Sequence, residues 1–290
     1  MSTTSVLFDT PGPRARRRAV IVTVVSVAVI AAVIGAALRQ FSLNGQLSAD
    51  RWTAFAQAGY VRYLLKGVEG TLKAAAVGAV VSFPAGAVLA LLRLSRNRVV
   101  KTLASAYIEL FRSIPLLLLI YAFLLALPGL GLNLPIFGKL VVPIILVNTA
   151  VLAEVFRAGI NALDRGQSEA AAAVGLRHWQ SMRLVVLPQA IRIIIPTLVT
   201  SLVALLKDTT LGYVVSYPEL MKTATNLTAV THLLIQTYLI VGLLYVVVNV
   251  ALSALARYLE RRLRRGRRGR GAADGQDGID RNDAAVAVIR

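Results

Sequence analysis

The chain has 290 residues, of which 57% are hydrophobic, and its formal net charge at pH 7 is +18. Several uncharged runs reach the roughly 20 residues that a bilayer core requires, which excludes a soluble globular protein. The chain has no cysteine, which excludes a disulfide framework and a thiolate metal site. Its two histidines, His178 and His232, lie far apart in sequence and lack the neighbouring ligands of a metal site.

The apolar runs, taken in chain order, predict an all-α membrane protein with six spanning helices. Two runs of only fourteen residues, 140–153 and 193–206, are assigned as spanning from their flanking charges. The first run is longer than the 7 to 15 apolar residues of a signal region, so we interpret it as a retained helix. The predicted helices lie near residues 19–38, 68–92, 103–127, 139–161, 190–210 and 233–257.

The connections between these helices differ in charge. Positive charge gathers in alternate connections, and the positive-inside rule therefore predicts that both termini and the long loop between helices four and five are cytoplasmic. These basic segments are 14–18, 93–101, 157–192 and 257–270. The segment 40–66 is predicted to be external, and the glycines and prolines of 128–135 predict a turn. For the basic tail, contact with anionic lipid or a topogenic role is favoured over RNA binding.

The long cytoplasmic loop carries a short pattern of small residues. Glu169 is followed by four alanines, Val174 and Gly175, and Pro188 comes where the chain re-enters the membrane. Alanine favours a helix, Gly175 allows a bend without a Cβ clash, and Pro188 is expected to break the helical hydrogen bonds. A helix, a turn and a second helix are predicted. On these residues alone, a structural hairpin that packs through its alanines is favoured over a functional loop.

Seven short motifs lie around this loop in a fixed order: 70–72, 109–115, 153–160, 166–171, 187–192, 206–211 and 218–220. Together with the loop pattern, which also includes Val185, they resemble the permease subunits of bacterial ABC importers, in the branch that takes up polar amino acids. The resemblance covers roughly residues 67–257 and implies the type I importer permease fold. It also implies that the loop docks as a coupling helix on a separate ATPase. The residues that would do so are Arg165, Glu169, Ala170, Ala171, Gly175, Leu187 and Pro188.

The resemblance further implies the partners. These are two copies of the ATPase subunit, a second permease chain of the same or a sister type, an extracytoplasmic amino-acid-binding protein and membrane lipids, with no nucleic acid. The chain has no P-loop of its own, since its only Gly-Lys pair, Gly138-Lys139, is followed by Leu140. ATP is therefore expected to be hydrolysed by the partner, and no cofactor is expected on this chain. Glutamate is the first expectation among the solutes, which include glutamine, aspartate, arginine and histidine.

Polar residues inside the predicted helices are candidates for the solute pathway, because a charge in a membrane costs at least about 2.5 to 3.5 kcal/mol. Two pairs of opposite charge, Glu109 with Arg112 and Glu154 with Arg157, are each spaced i, i+3 on one helix face. Each is interpreted either as a self-neutralising pair or as part of a gate. Lys207 could meet a solute carboxylate and Asp208 its ammonium group, with helix packing as the alternative. The pathway candidates are Glu109, Arg112, Asn148, Glu154, Arg157, Lys207, Asp208, Thr209 and Thr210.

Four segments are predicted along the chain. They are a basic cytoplasmic segment (1–18), an extra N-terminal helix with an external segment (19–66), the permease domain (67–257) and a basic, disordered tail (258–290). A secondary transporter driven by an ion gradient is the alternative function, with the intramembrane charges acting as a proton or sodium relay. Such a transporter is expected to show inverted repeats, and inspection of the sequence reveals none.

Overall fold

The computed structural model describes residues 12–258 and contains only helices and turns over that range. The all-α prediction is confirmed. Most of the predicted tail, residues 259–290, lies outside the described residues, as do residues 1–11. The helices are α1 (Pro13–Leu43), α2 (Ala49–Thr53), α3 (Ala58–Arg93), α4 (Arg98–Ser113), α5 (Leu116–Gly129), α6 (Ile136–Asn161), α7 (Arg165–Ala173), α8 (His178–Tyr213), α9 (Leu220–Thr231) and α10 (Leu234–Tyr258).

Five of these helices are long and apolar enough to cross a membrane, namely α1, α3, α6, α8 and α10. The third predicted helix, near 103–127, is wrong as a single element. The chain bends by 95° between α4 and α5. Pro115 lies at this bend, and Ile114 before it is extended, as expected for a residue that precedes proline. The count reaches six only if α4 and α5 are taken together as one bent element.

The described chain separates into two compact units, divided between Tyr60 and Val61. In the first unit, α1 has no buried residue, and the Trp52 indole nitrogen donates a hydrogen bond to the Gln46 carbonyl at 3.1 Å. The predicted second helix is ten residues too short, because α3 already begins at Ala58. The charged residues near the start of α3 do not end the helix, because they are exposed while Leu64 among them is buried.

In the second unit, α3, α6 and α8 pack closely through small residues. A Cβ atom on Gly86 of α3 would lie 2.7 Å from the Leu152 Cβ of α6, and one on Gly159 of α6 would overlap the Ile194 side chain of α8. Small residues allow such close approach of helices within membranes. The core between these helices consists mainly of Ala74, Ala75, Ile120, Leu140, Ile144, Leu205 and Leu206, and nearer the loop of Ala90, Ile108, Leu152, Phe156 and Ile194.

Each Leu-Pro pair in α5 and α8 follows a single π-helical turn. The N–H of Leu127 bonds to the Ala122 carbonyl, and that of Leu187 bonds to the Met182 carbonyl, five residues back in each case. The wider turn accommodates the proline that follows, which has no N–H and crowds the preceding turn. The predicted break in the α-helical hydrogen bonds at Pro188 takes the form of this π turn, and the helix continues past it. Helix α8 runs without a break from the loop at His178 to Tyr213.

Candidate functional site

The loop between α6 and α8 folds as a short helix closed by a glycine turn. Asp164 caps α7, because its side chain accepts a hydrogen bond from the Gly166 N–H at 2.8 Å. Gly175 has φ +80°, and Leu176 donates its N–H to the Ala171 carbonyl at 3.1 Å. This hydrogen-bond pattern is a Schellman motif, which favours glycine at the left-handed position. The predicted bend at Gly175 is confirmed.

The surface of this loop combines charge with exposed apolar side chains. Arg165, Glu169 and Ala170 are exposed, whereas Ala171 is buried beneath them. Next to these residues lie Val174 and Trp179, exposed at 76% and 59%, which the sequence analysis did not single out. Each could have been recognised in the sequence as a large apolar residue inside an otherwise charged loop. Such an exposed mixture of apolar and charged groups is typical of a surface that binds another protein.

The structure brings together two of the predicted pathway residues from different helices. The Asn148 side-chain amide of α6 donates one hydrogen bond to the Asp208 carboxylate of α8 at 3.0 Å and another to the Ile144 carbonyl at 3.0 Å. Asp208 is half-buried and Lys207 is exposed, so the two adjacent charges face different surroundings. The Thr209 hydroxyl donates to the Leu206 carbonyl at 2.7 Å and is buried.

A second polar cluster lies nearer to the loop, and its centre is a residue that the sequence analysis missed. Arg93, at the end of α3, forms an ion pair with Glu154 of α6 and a second with Glu109 of α4 at 3.5 Å. Arg157 also binds Glu154, at 2.7 Å, as predicted from their spacing. The predicted pair between Glu109 and Arg112 is wrong, because Glu109 pairs with Arg93 instead.

A third polar cluster lies at the end of this unit remote from the loop, between α3, α9 and α10. Glu219 is fully buried and accepts hydrogen bonds from the N–H groups of Met221 (2.7 Å) and Lys222 (2.6 Å) and from the Tyr245 hydroxyl (2.7 Å). Burial raises the pKa of Glu219, although the hydrogen bonds from Met221, Tyr245 and Lys222 act in the opposite direction. This cluster caps α9 with a carboxylate that water does not reach.

Two of the sequence motifs meet in this third cluster. The Tyr217 hydroxyl donates to the Gly70 carbonyl at 3.1 Å, and the Leu220 N–H donates to the Thr71 hydroxyl at 3.1 Å. A Cβ atom on Gly70 would overlap the carbonyl oxygen of Pro218. The glycine is therefore required for the close approach of the segments that carry motifs 70–72 and 218–220.

The three polar clusters and the loop lie along shared helices. Asn148 and Glu154 are both on α6, and Glu154 is nearer to the end that leads into the loop. Asp208 is on α8, which begins in the loop. Within residues 12–258 no group of histidine, cysteine and acidic residues is suited to hold a metal ion. These polar clusters offer hydrogen bonds and charges to a polar solute. Helix α8 connects Asp208 to the loop as one continuous helix.

Residues 82–265 match the family described as the binding-protein-dependent transport system inner membrane component. The chain is 36% identical over 228 residues to the glutamate transport system permease protein GluD of Corynebacterium glutamicum, covering 76% of this chain and 82% of the relative. It is 38% identical over 208 residues to the glutamate/aspartate import permease protein GltK of Escherichia coli, covering 69% and 93%. It is 34% identical over 206 residues to the probable glutamine ABC transporter permease protein GlnP of Bacillus subtilis, covering 70% and 94%.

Solved structures agree with this family. A chain from the crystal structure of an amino acid ABC transporter with histidines superposes with a TM-score of 0.68 at 32% identity, covering 73% of this chain and 98% of that one. A chain of the MetNI methionine ABC transporter superposes with a TM-score of 0.56 at 20% identity, covering 70% and 98%, and supports the fold alone. The chain belongs to the family of inner membrane permease subunits of binding-protein-dependent ABC importers. The family and the type I fold predicted from the motifs are confirmed.

Proposed function

We propose that this chain is the permease subunit of an ATP-driven importer of polar amino acids, with glutamate as its main solute. Relatives named for glutamate, for glutamate and aspartate and for glutamine support the solute class. The observation that carries the mechanism is the unbroken helix α8, which joins the loop directly to Asp208. The chain lies in the bacterial plasma membrane with both termini in the cytoplasm, as the alternation of basic connections indicates.

The loop is the docking surface for the ATPase subunit in this proposal. Glu169 supplies charge, Val174 and Trp179 supply apolar area, and the turn at Gly175 fixes the angle between α7 and the start of α8. A second permease chain provides a second loop, so two ATPase subunits bind. Since α8 has 36 residues, it extends about 54 Å at 1.5 Å per residue. A displacement of its first turn by the ATPase is therefore transmitted to Asp208 along one continuous helix.

The pair formed by Asn148 and Asp208 is the proposed contact for the solute. A carboxylate held by a single side-chain amide can exchange that donor for the ammonium group of an amino acid, which makes stronger charge-assisted hydrogen bonds. Lys207 is the proposed partner of a solute carboxylate. Thr209 and Thr210 complete the polar surroundings, although the Thr209 hydroxyl already bonds to the backbone.

The ion cluster around Arg93 is the proposed gate on the loop side of the pathway. Arg93 joins three helices through Glu109 and Glu154, and Arg157 provides Glu154 with a second partner. Arg112 follows Glu109 by one helical turn on α4. Charge pairs of this kind can open and reform as helices separate, because each partner can instead be hydrated. The extracytoplasmic binding protein would deliver the solute from the opposite side.

The test is uptake of labelled glutamate by vesicles that contain this chain with its ATPase subunit and binding protein. Uptake is expected to require ATP and to be lost in Glu169→Lys while the solute still binds. The matched control is Glu69→Lys, the same charge reversal at an exposed position near the end remote from the loop, which should retain uptake. Uptake that ignores ATP and follows an ion gradient would contradict the proposal and support a secondary transporter. Competition by glutamine, aspartate, arginine and histidine ranks the solutes.

A further inference from the structure

Helix α4 carries three faces along its length. The first face packs into the protein, with Ala104 and Ile108 buried and the Tyr107 hydroxyl bonded to the Leu146 carbonyl at 3.1 Å. A second face is also apolar but is open. It consists of Val99, Leu103, Ala106 and Leu110, which repeat at intervals of three and four residues on one side of a helix. Val99 and Leu103 are each 67% exposed.

The third face of α4 is polar, and its first half is basic. Arg98 and Lys101 are exposed, and Arg96 precedes them in the connection from α3. None of these three takes part in an ion pair with another residue in the described part of the chain. Two apolar faces beside one basic face give the pattern of a helix that lies at a membrane surface rather than across it.

The direction of α4 agrees with this pattern. Because α4 meets α5 at 95°, it lies close to the bilayer plane if α5 crosses the bilayer. Glu109 of α4 pairs with Arg93, which also pairs with Glu154 near the loop ends of α3 and α6, so α4 lies on the loop side. Amphipathic helices in the membrane plane sit about 5 to 10 Å into the boundary between headgroups and acyl chains.

We propose that α4 is an interfacial helix that binds anionic phospholipid in the leaflet on the loop side. The open stripe of Val99, Leu103 and Leu110 contacts acyl chains, and Arg96, Arg98 and Lys101 contact the phosphates. Charge complementarity selects anionic lipid as the occupant, since basic residues next to a membrane are attracted to negatively charged headgroups. Bound lipid would fix the position of α4 and with it the ion pair between Glu109 and Arg93. The inference does not depend on which solute is transported.

The position of the stripe can be measured with single cysteines, because the chain has none of its own. Leu103→Cys lies on the stripe, and its neighbour Thr102→Cys lies on the polar face. Each full-length variant is labelled with a fluorophore and placed in nanodiscs that contain lipid brominated on its acyl chains. Quenching at position 103 is expected to exceed that at position 102 at least about threefold, as for a helix in the interface. Val99→Cys replaces Leu103→Cys if the latter does not fold.

Two results would overturn the lipid assignment. Equal quenching at positions 102 and 103 would mean that α4 is immersed on all sides. A lack of quenching at position 103 would mean that water or protein covers the stripe. In that case, a disulfide between two copies of Leu103→Cys would assign the stripe to a second permease chain.

The choice of headgroup is tested by comparing brominated phosphatidylglycerol with brominated phosphatidylcholine. At position 103 the anionic lipid is expected to be enriched about fivefold, which corresponds to about 1 kcal/mol for a basic residue near the surface. Arg98→Gln with Lys101→Gln should abolish the enrichment. Arg62→Gln with Lys66→Gln, which removes two exposed charges near the other end of α3, should leave it unchanged. Enrichment that survives the first pair, or is lost with the second, would contradict the proposal.

Discussion

The two ends of the second unit are held together by different chemistry. At the end remote from the loop, α3 meets the segment before α9 through a backbone contact at Gly70, and the carboxylate of Glu219 is buried and accepts three hydrogen bonds. At the loop end, Arg93 holds three helices through ion pairs with side chains that are partly exposed. Close packing resists small displacements, whereas ion pairs near water can exchange partners. In the proposed transport cycle we therefore expect the remote end to move as one block and the loop end to separate.

The largest expected effect comes from disturbing the tightly packed end. Gly70→Ala places a methyl group on the carbonyl oxygen of Pro218 and should destabilise the protein by about 3 kcal/mol or more, at the upper end of overpacking costs. Thermal unfolding of the purified chain, followed by size exclusion, measures the loss. Gly242→Ala is the control, since no atom lies within 4 Å of a Cβ atom there. Equal melting temperatures for the two variants would refute close packing at Gly70.

A smaller effect is expected at the loop end, where the two ion pairs of Arg93 should differ. In double-mutant cycles with glutamine substitutions, the coupling between Arg93 and Glu154 should be about 1 to 2 kcal/mol. The coupling between Arg93 and Glu109 should be at most about 0.5 kcal/mol, because the Glu109 side chain is 72% exposed. Denaturant unfolding in mixed micelles provides the four free energies of each cycle. A stronger coupling to Glu109 would reverse the ranking.

The loop turn should contribute about 1 kcal/mol through the backbone alone. Gly175 is left-handed, with φ +80°, and has open space around it, so Gly175→Ala introduces backbone strain without a steric clash. Gly175→Asn should restore most of the loss, because asparagine tolerates this conformation better than alanine. Unfolding free energies of the three proteins test this order. If alanine and asparagine were equally destabilising, the backbone explanation would fail.

The smallest expected effect is a pH dependence at the remote end. Since burial raises the folded-state pKa of Glu219, its contribution to stability is fully present below the unfolded-state pKa and is lost as the pH rises through the folded-state pKa. The melting temperature of the wild type should therefore fall across this window relative to that of Glu219→Gln. Melting curves recorded from acidic to neutral pH make the comparison. Parallel pH profiles for the two proteins would show that Glu219 does not titrate in this way.

Sequence patterns were most reliable where a single local feature decides the structure. The apolar runs located the spanning helices, and Gly175 was expected to bend the loop because its residue type permits a left-handed turn. The spacing of Glu154 and Arg157 also predicted their ion pair. In each case the interacting groups lie within one helical turn or one peptide unit, so the rest of the fold has little influence.

The same reasoning was wrong where several helices compete for a residue. Glu109 has Arg112 one turn away but pairs with Arg93, because α4 places it beside the end of α3. Pro188 was expected to break the helical hydrogen bonds, and it does so locally as a π-helical turn, but α8 continues past it. The pairing of Glu109 has no sequence signal, since it depends on how neighbouring helices pack, whereas the π-helical turn has a local one in the Leu-Pro pair that follows it.

By itself the sequence determined the class of this protein: its apolar runs require a membrane, its alternating charges predict an orientation, and its ordered motifs indicated the permease family. Only the tertiary structure decided which polar residues meet. It joined Asn148 to Asp208 and Gly70 to the segment before Glu219, and it laid α4 at 95° to α5. The physical reason is range. Hydrophobicity and charge act residue by residue along the chain, whereas contacts between helices depend on packing that no single segment specifies.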